Sequence, residues 1–177
     1  MHRLIFMILA CLGLSLAPAL ASMVITGKVV GVHDGDSITV LTATNQQIKV
    51  RLSGIDAPEL SQAFGKRAKQ ALSGKVFGQI VTLEVKNTDR YGRTVADVWL
   101  GERWINLEMV AEGWAWHYRQ YSKSKELEAA ERGAREKRLG LWADKDPVPP
   151  WEYRRPSQVR QDEPGMDHPQ PLFKVEW

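Results

Sequence analysis

Apolar and polar residues alternate in three short runs near the start of the chain, and this period of two is typical of β-strands. The runs predict strands over 23–32, 37–41 and 47–53. In the third run the apolar residues share one face, while Lys49 and Arg51 share the other. Turn-forming residues separate the runs at 33–36 and 44–46. The first half of the chain is therefore predicted to start as a meander of three strands.

The later part of the chain mixes helical spacing with two more strand-like runs. Phe64, Ala68 and Leu72 recur at helical spacing and predict a helix over 61–72. Further strands are predicted over 80–86 and 94–100, and further helices over 104–116 and 122–138. Gly140 is a typical helix stop. Prolines interrupt every period after that point, which predicts a proline-rich flexible tail over 144–177.

Five short strands, with one helix after the third and others after the fifth, favour a β-barrel plus α fold. The common barrel of this size is the five-stranded OB-fold barrel, here with about three packed helices. We therefore expect one domain over 22–143, and the sequence contains no internal repeat.

The first 21 residues resemble a cleavable leader. A charged start precedes an apolar run over 4–16, and Ala19-Leu20-Ala21 supplies small residues for processing. We expect a signal peptide over 1–21 and an exported protein, periplasmic or extracellular. Two alternatives stay open: a retained membrane anchor, although the run is short of the roughly 20 residues needed to span a bilayer, and a lipid anchor on Cys11.

The overall charge excludes few classes of function. The formal net charge is +3, which is compatible with a polyanionic substrate without demanding one. Cys11 is the single cysteine, so a chain cleaved after Ala21 would contain no disulfide. His33 and His117 are isolated in sequence, which argues against a zinc site. We expect a monomer with no stable protein partner and no membrane contact after leader cleavage.

Carboxylates gather in two loops that could serve one metal. Asp34-Gly35-Asp36 reads as an ordinary hairpin turn, and 56–59 (Asp-Ala-Pro-Glu) reads as a loop that caps the next helix. The functional alternative places a hard cation between Asp36 and Asp56, where it would polarise a phosphoryl oxygen. Glu59 would then orient or deprotonate the attacking water.

Two arginines could supply the complementary charge. Arg51 lies on the polar face of the third strand, and Arg93 follows the turn at Tyr91-Gly92. Taken singly, each reads as a solvated surface residue. Together they could clamp one phosphate, because a guanidinium binds two phosphate oxygens in a geometry that lysine cannot copy.

The order of these residues resembles the staphylococcal nuclease-like (thermonuclease) family over roughly 24–142. The motifs are Asp34-Gly-Asp-Ser37, Arg51-Leu-Ser-Gly-Ile-Asp-Ala-Pro-Glu59, Asp89-Arg-Tyr-Gly-Arg93, the stretch 106–115 and Leu139-Gly-Leu-Trp142. The resemblance implies an OB barrel with three helices. It also implies calcium-dependent endonucleolytic cleavage of DNA and RNA that leaves 3′-phosphate ends. Hard oxygen ligands would also suit Mg²⁺ or Mn²⁺.

The resemblance also implies a role for each site residue. Asp36, Asp56 and the backbone carbonyl of Ala57 would bind the metal, with Asp34 nearby. The catalytic set would be Arg51, Glu59 and Arg93, and Tyr91 would face the substrate.

One region departs from the family pattern. The family's type member has two tyrosines spaced two apart, whereas this chain has Tyr118 and Tyr121, with Arg119 where one tyrosine would align. We expect all three to contact substrate, since aromatic rings stack on bases and arginine contacts the backbone. Trp114 and Trp116 are interpreted as core residues.

A nucleic-acid-binding module without catalysis is the second hypothesis, because OB barrels often bind single strands. The carboxylates discriminate between the enzyme hypothesis and the binding-module hypothesis. Asp36, Asp56 and Glu59 would only repel phosphate in a pure binder, so their presence beside Arg51 and Arg93 favours an enzyme.

Overall fold

The computed structural model describes residues 23–155. Its strands are Val24–Val32 (β1), Ser37–Thr42 (β2), Gln47–Leu52 (β3), Ile55–Asp56 (β4), Ile80–Thr88 (β5), Thr94–Leu100 (β6), Arg103–Trp104 (β7) and Trp116–His117 (β8). Its helices are Gly65–Val76 (α1), Ile105–Ala111 (α2), Lys125–Glu136 (α3) and Pro150–Tyr153 (α4), with a 3₁₀ turn at Gly140–Ala143. No helix within this range is long and apolar enough to cross a membrane. The predicted leader lies outside the described residues.

Five strands close into a barrel in the order β3, β2, β1, β5 and β6. The neighbours along this order are antiparallel. The barrel closes where β3 meets β6 in parallel, with Val50 opposite Thr94 and Arg51 opposite Val95. Closure pairs the two edges that an open sheet would expose. The predicted five-stranded barrel with packed helices is therefore confirmed.

The barrel interior and the faces of α1 and α2 form one apolar core. Alternate strand residues point inward, and the residues that become fully buried include Val29, Ile38, Val40, Val50, Leu83 and Val98. Helix α2 adds Ile105, Met109 and Val110, which are also fully buried. Burial of one such side chain stabilises the fold by about 1.5–3 kcal/mol. The apolar residues that alternate along the predicted strands are thus the residues that form the core.

Helix α1 begins and ends four residues later than the spacing predicts. The backbone turns after Pro58, and this turn brings the carbonyl oxygen of Glu59 against Gly65, where any Cβ would collide with it. Phe64, just before the helix, adopts a left-handed backbone with φ 65°. The turn therefore delays the helix, which runs to buried Val76 and stops before the left-handed Gly78.

The second helix is shorter than predicted because Gly113 stops it. Gly113 has φ 75°, and its Cα packs against the carbonyl of Leu139, where a Cβ would collide. The chain beyond it becomes extended and forms β8, which pairs with β4 through Ile55–His117 and Asp56–Trp116. Part of the predicted helix is thus a strand beside the 56–59 loop. Trp116 is buried and Trp114 packs on the core, as expected.

Residues 144–155, the start of the predicted tail, contain a short helix and contact the domain. Pro150 starts α4, since its fixed φ suits the first helical position. Trp151 packs edge-on to Trp116 at 5.5 Å between ring centroids. The side-chain amide of Gln62 donates to the carbonyl of Val148 at 2.5 Å. Aromatic packing therefore orders a stretch whose prolines carry no periodicity, while the remainder of the predicted tail lies outside the described residues.

His117 makes the stability of the fold pH-dependent. Its side chain is 4% exposed, and neither ring nitrogen has a hydrogen-bond partner within residues 23–155. Burial lowers the pKa of His117 below its ordinary value, although the carboxylate of Glu131 acts in the opposite direction. The folded protein therefore resists protonation that the unfolded chain accepts.

We expect the unfolding free energy to fall as the pH drops from the ordinary histidine pKa through the lowered pKa of His117. The slope for one proton is at most about 1.4 kcal/mol per pH unit. Denaturant unfolding of wild type and H117Q at about pH 7.5 and about pH 5.5 checks this. Wild type should lose more stability than H117Q over the interval, and equal losses would contradict the assignment.

Candidate active site

Asp36 is held at the end of a tight turn that packs under α1. Its backbone N–H donates to the Asp34 carboxylate at 2.9 Å, and its carbonyl accepts from Leu52 N–H at 2.8 Å. A Cβ on Gly35 would lie 2.6 Å from the Cβ of Ala57, so only glycine fits this turn. The hairpin turn is therefore real, and it buries the Asp36 side chain rather than leaving it in solvent.

Asp56 lies opposite, in β4, and is fully buried. The pairing of β4 with β8 holds its backbone. The backbone N–H of the next residue, Ala57, donates to Asp36 Oδ2 at 2.6 Å. This bond joins two loops whose contacting residues are 21 positions apart in the sequence.

Arg51 bridges the two buried aspartates. The register of β2 and β3 sets Arg51 opposite Ser37, next to Asp36. One terminal nitrogen of Arg51 pairs with Asp36 Oδ1, and the other lies 2.6 Å from Asp56 Oδ1. The Arg51 side chain is only 16% exposed. The three residues that the sequence assigned to metal and phosphate are thus brought together, with two carboxylates sharing one guanidinium.

Glu59 sits on the turn between β4 and α1, at the open side of this cluster. Its backbone N–H donates to the Gln62 side-chain carbonyl at 3.2 Å, and its own carbonyl accepts from Gln62 N–H at 2.8 Å. Its side chain is 37% exposed, unlike that of Asp56. Glu59 is therefore the carboxylate of the three that solvent can reach.

Arg93 enters from the loop before β6. Because Arg51 lies opposite Val95, Arg93 is two residues from the strand position beside Arg51. Arg93 therefore lies in the loop that leads into the strand beside β3. Among the described residues its side chain pairs with Asp89 and not with the Asp36 and Asp56 carboxylates.

Asp89 organises the loop that carries Arg93. One of its carboxylate oxygens accepts the N–H groups of Tyr91 and Arg93, each at 2.9 Å, and the other accepts from Arg93 Nε at 2.7 Å. Partial burial raises the pKa of Asp89, but these hydrogen bonds outweigh it and the pKa lies below its ordinary value. Tyr91 is exposed, with the Arg93 guanidinium 5.5 Å from its ring. The sequence motif contains Asp89 but did not reveal this role.

Of the three expected substrate contacts Tyr118, Arg119 and Tyr121, only the two tyrosines lie together. Tyr118 N–H donates to the carbonyl of Gly54 at 2.8 Å, which holds it beside β4, and the ring of Tyr121 meets Tyr118 edge-on at 4.8 Å. Burial, with a further contribution from the charge of Asp56, raises the pKa of Tyr118. Arg119 instead pairs with buried Glu131 of α3 at 3.0 Å. Tyr118 therefore lies near the carboxylates, whereas Arg119 is engaged by a different element.

Arg154 is a member of the site that sequence reasoning missed. It follows α4, and its terminal nitrogens contact Asp56 Oδ2 at 2.6 Å and Glu59 Oε1 at 2.7 Å. The indole of Trp151 lies parallel to the Tyr118 ring, with 5.3 Å between centroids and 2° between planes. Nothing in the local pattern of a proline-rich stretch could have indicated either contact.

A family model described as staphylococcal nuclease homologue matches residues 49–144. The chain belongs to this family. It is 48% identical over 134 residues to an uncharacterized endonuclease of Haemophilus influenzae, covering 76% of this chain and 75% of that one. It is 45% identical over 143 residues to a micrococcal nuclease of Shigella flexneri, covering 75% and 82%. It is 46% identical over 158 residues to protein ParB of Escherichia coli, covering 83% and 88%.

The matched range contains four of the five predicted metal and catalytic side chains. Arg51, Asp56, Glu59 and Arg93 fall within it, while Asp36 precedes it by thirteen residues and Arg154 follows it by ten. Asp36 nevertheless belongs to the same cluster in three dimensions, through Arg51 and the backbone of Ala57.

The donor set suits a hard divalent cation. Asp36 and Asp56 are buried carboxylates that converge on the same guanidinium, and carboxylate oxygens are the ligands that calcium and magnesium prefer. Within residues 23–155 no three acidic, histidine or cysteine side chains are grouped closely enough to coordinate one ion. Two arginines, Arg51 and Arg154, lie among the acids and neutralise them. Asp36 and Asp56 are thus the residues that would hold a metal, and guanidinium groups supply the positive charge in this arrangement.

Proposed function

We propose that this protein is an exported, metal-dependent endonuclease that hydrolyses phosphodiester bonds of DNA and RNA and leaves 3′-phosphate ends. The observation that carries the proposal is Arg51 between two buried carboxylates, with Glu59 beside them at the solvent-accessible side. Membership of the nuclease family supports nuclease activity. Export, calcium and the position of the cut bond rest on the leader-like residues 1–21 and on the family resemblance.

Asp36 and Asp56 would hold the cation, with the carbonyl of Ala57 as a further oxygen donor. When bound, the cation would polarise a phosphoryl oxygen and offset the negative charge of the site. Calcium is our first expectation, and Mg²⁺ and Mn²⁺ suit the same donors.

Glu59 is proposed to accept a proton from the attacking water, because it is the acid that solvent reaches. The water oxygen forms a bond to phosphorus while the bond from phosphorus to the 5′ oxygen breaks, and the departing 5′ oxygen takes a proton from solvent water and ends as a hydroxyl. This leaves the phosphate on the 3′ side. Arg51 and Arg93 bind the non-bridging oxygens and stabilise the charge that builds on them in the transition state. Tyr118 offers a ring on which a base can stack.

The purified chain over 22–177 is expected to cut plasmid, single-stranded DNA and RNA when calcium is added, and to stop when a chelator removes it. Gel assays follow the cutting, and phosphatase treatment of end-labelled products reports which side carries the phosphate. Magnesium and manganese in parallel reactions identify the preferred ion.

Two results would contradict the proposal in different ways. If the protein bound single strands but cut nothing with calcium, magnesium or manganese, it would be a binding module and not an enzyme. Products with 5′-phosphates would agree with nuclease activity, but they would show that a different phosphodiester bond is broken.

A further inference from the structure

The segment over 147–155 lies across the proposed active site and contacts it at two points. At the first, Arg154 donates to both oxygens of Asp56, at 2.6 and 3.2 Å, and to Glu59 at 2.7 Å. These are charge-assisted hydrogen bonds, which are among the stronger contacts a side chain can make. One guanidinium thus neutralises both a proposed metal ligand and the proposed base.

The second contact is aromatic. Trp151 stacks on Tyr118 in a parallel arrangement and meets Trp116 edge-on. A nucleobase would approach Tyr118 in the same face-to-face manner. The indole therefore covers the ring that the proposed function assigns to the substrate.

The 147–155 segment is packed less completely than the barrel core. A cavity of about 210 Å³ lies beneath it, lined by Pro58, Phe64, Trp116, Leu141, Val148 and Tyr153. The Arg154 side chain is 40% exposed, so solvent can replace its hydrogen bonds as it leaves. Tyr153, which donates to Ser61 at 3.2 Å, is itself exposed. Incomplete packing of this kind lowers the cost of moving the segment away.

We propose that Arg154 controls the metal affinity of the site, because its guanidinium and a divalent cation compete for the carboxylates of Asp56 and Glu59. Metal binding then requires the 147–155 segment to withdraw, and the withdrawal also uncovers Tyr118 for the substrate. This inference rests on the proposed metal-dependent function. The competition follows from occupancy: Arg154 holds Asp56 Oδ2 and Glu59 Oε1, and Arg51 already holds Asp56 Oδ1, so a cation can reach the Asp56 carboxylate only when Arg154 leaves it.

We call a molecule open when its 147–155 segment has withdrawn. The apparent metal affinity is the affinity of the open form multiplied by the fraction of molecules that are open. If about one molecule in ten is open, R154Q should bind calcium about tenfold more tightly than wild type. R154K keeps the charge but has a single charged nitrogen, which cannot bind Asp56 and Glu59 as the guanidinium does. Its calcium affinity should therefore fall between those of wild type and R154Q. Arg155 is the matched control: it is an exposed neighbour, and R155Q removes the same charge without touching the carboxylates.

Calcium titration calorimetry on wild type, R154Q, R154K and R155Q tests the proposal without any activity assay. Amide hydrogen exchange on wild type adds a second readout. The N–H groups of residues 152–155 donate to carbonyls of 149–152, and a helix of four residues keeps such bonds only while it is packed on the protein. Calcium should therefore speed exchange at residues 152–155 and leave α3 unchanged.

Tighter binding by R154Q, with R155Q like wild type and faster exchange over 152–155, would support the mechanism. Equal calcium affinity in wild type and R154Q would overturn it while leaving the metal-dependent function intact. No calcium binding by any of the four proteins would overturn the metal site itself, and the competition with it.

Discussion

Replacement of Arg93 by lysine is expected to lower kcat by about 10²- to 10³-fold while leaving the thermal unfolding midpoint unchanged. Arg93 Nε is already bound to Asp89 at 2.7 Å, which leaves the two terminal nitrogens to face a phosphate. Lysine has a single charged nitrogen, so it cannot bind Asp89 and two phosphate oxygens together. The side chain is partly exposed at the end of a loop, so the barrel should not depend on it.

The matched control for this experiment is R90K. Arg90 belongs to the same loop and lies 4.9 Å from the ring of Tyr91, yet it makes no ion pair within the described part of the chain. Steady-state kinetics on single-stranded DNA with calcium should leave R90K within a few-fold of wild type. If R93K kept kcat within about threefold, Arg93 would not be a transition-state ligand, since loss of such a contact costs far more.

Replacement of Arg51 by leucine is expected to destabilise the metal-free fold by roughly 3–5 kcal/mol, the usual cost of removing one partner of a buried ion pair. Asp36 and Asp56 are 1% and 0% exposed, and Arg51 is the cation that contacts both. Arg154 reaches Asp56 but not Asp36 in this arrangement, so the loss at Asp36 stays uncompensated among the described residues.

Denaturant unfolding with a chelator present measures this effect. Lys49 offers the control, because it lies on the same strand in solvent and K49L should change stability by less than about 0.5 kcal/mol. Adding calcium should return part of the stability to R51L, since a bound cation would again neutralise the acids. An R51L protein as stable as wild type in chelator would show that the buried carboxylates do not depend on this guanidinium.

These two arginines also show how far the site could be predicted. Arg51 and Arg93 were chosen from their motifs, and their strands were recognised from alternation. That the strand of Arg51 lies beside the strand that follows Arg93 depends on the parallel pairing of β3 with β6, which joins residues more than forty positions apart. Alternation specifies which face a residue occupies, but it carries no information about which strand lies beside it.

Helix ends were the least predictable local feature. Gly65 and Gly113 look like ordinary helix residues in the sequence, yet at each a carbonyl group packs where a Cβ would lie. At Gly65 it is the carbonyl of Glu59, in the turn that delays α1. At Gly113 it is the carbonyl of the distant Leu139; the helix ends there, and Trp116–His117 pair with β4. A local turn therefore decided the first boundary and a tertiary contact the second, and helical propensity decided neither.

The sequence by itself determined the five barrel strands, the buried faces and the order of the acidic and basic motifs, because these depend on local periodicity and residue chemistry. Tertiary structure alone decided that Arg119 turns to Glu131 and that Arg154 lies between Asp56 and Glu59. Those contacts depend on which elements pack together. For Arg154 the deciding contact is the packing of Trp151 on Trp116 and Tyr118, some thirty residues away, which leaves no periodic trace in the chain.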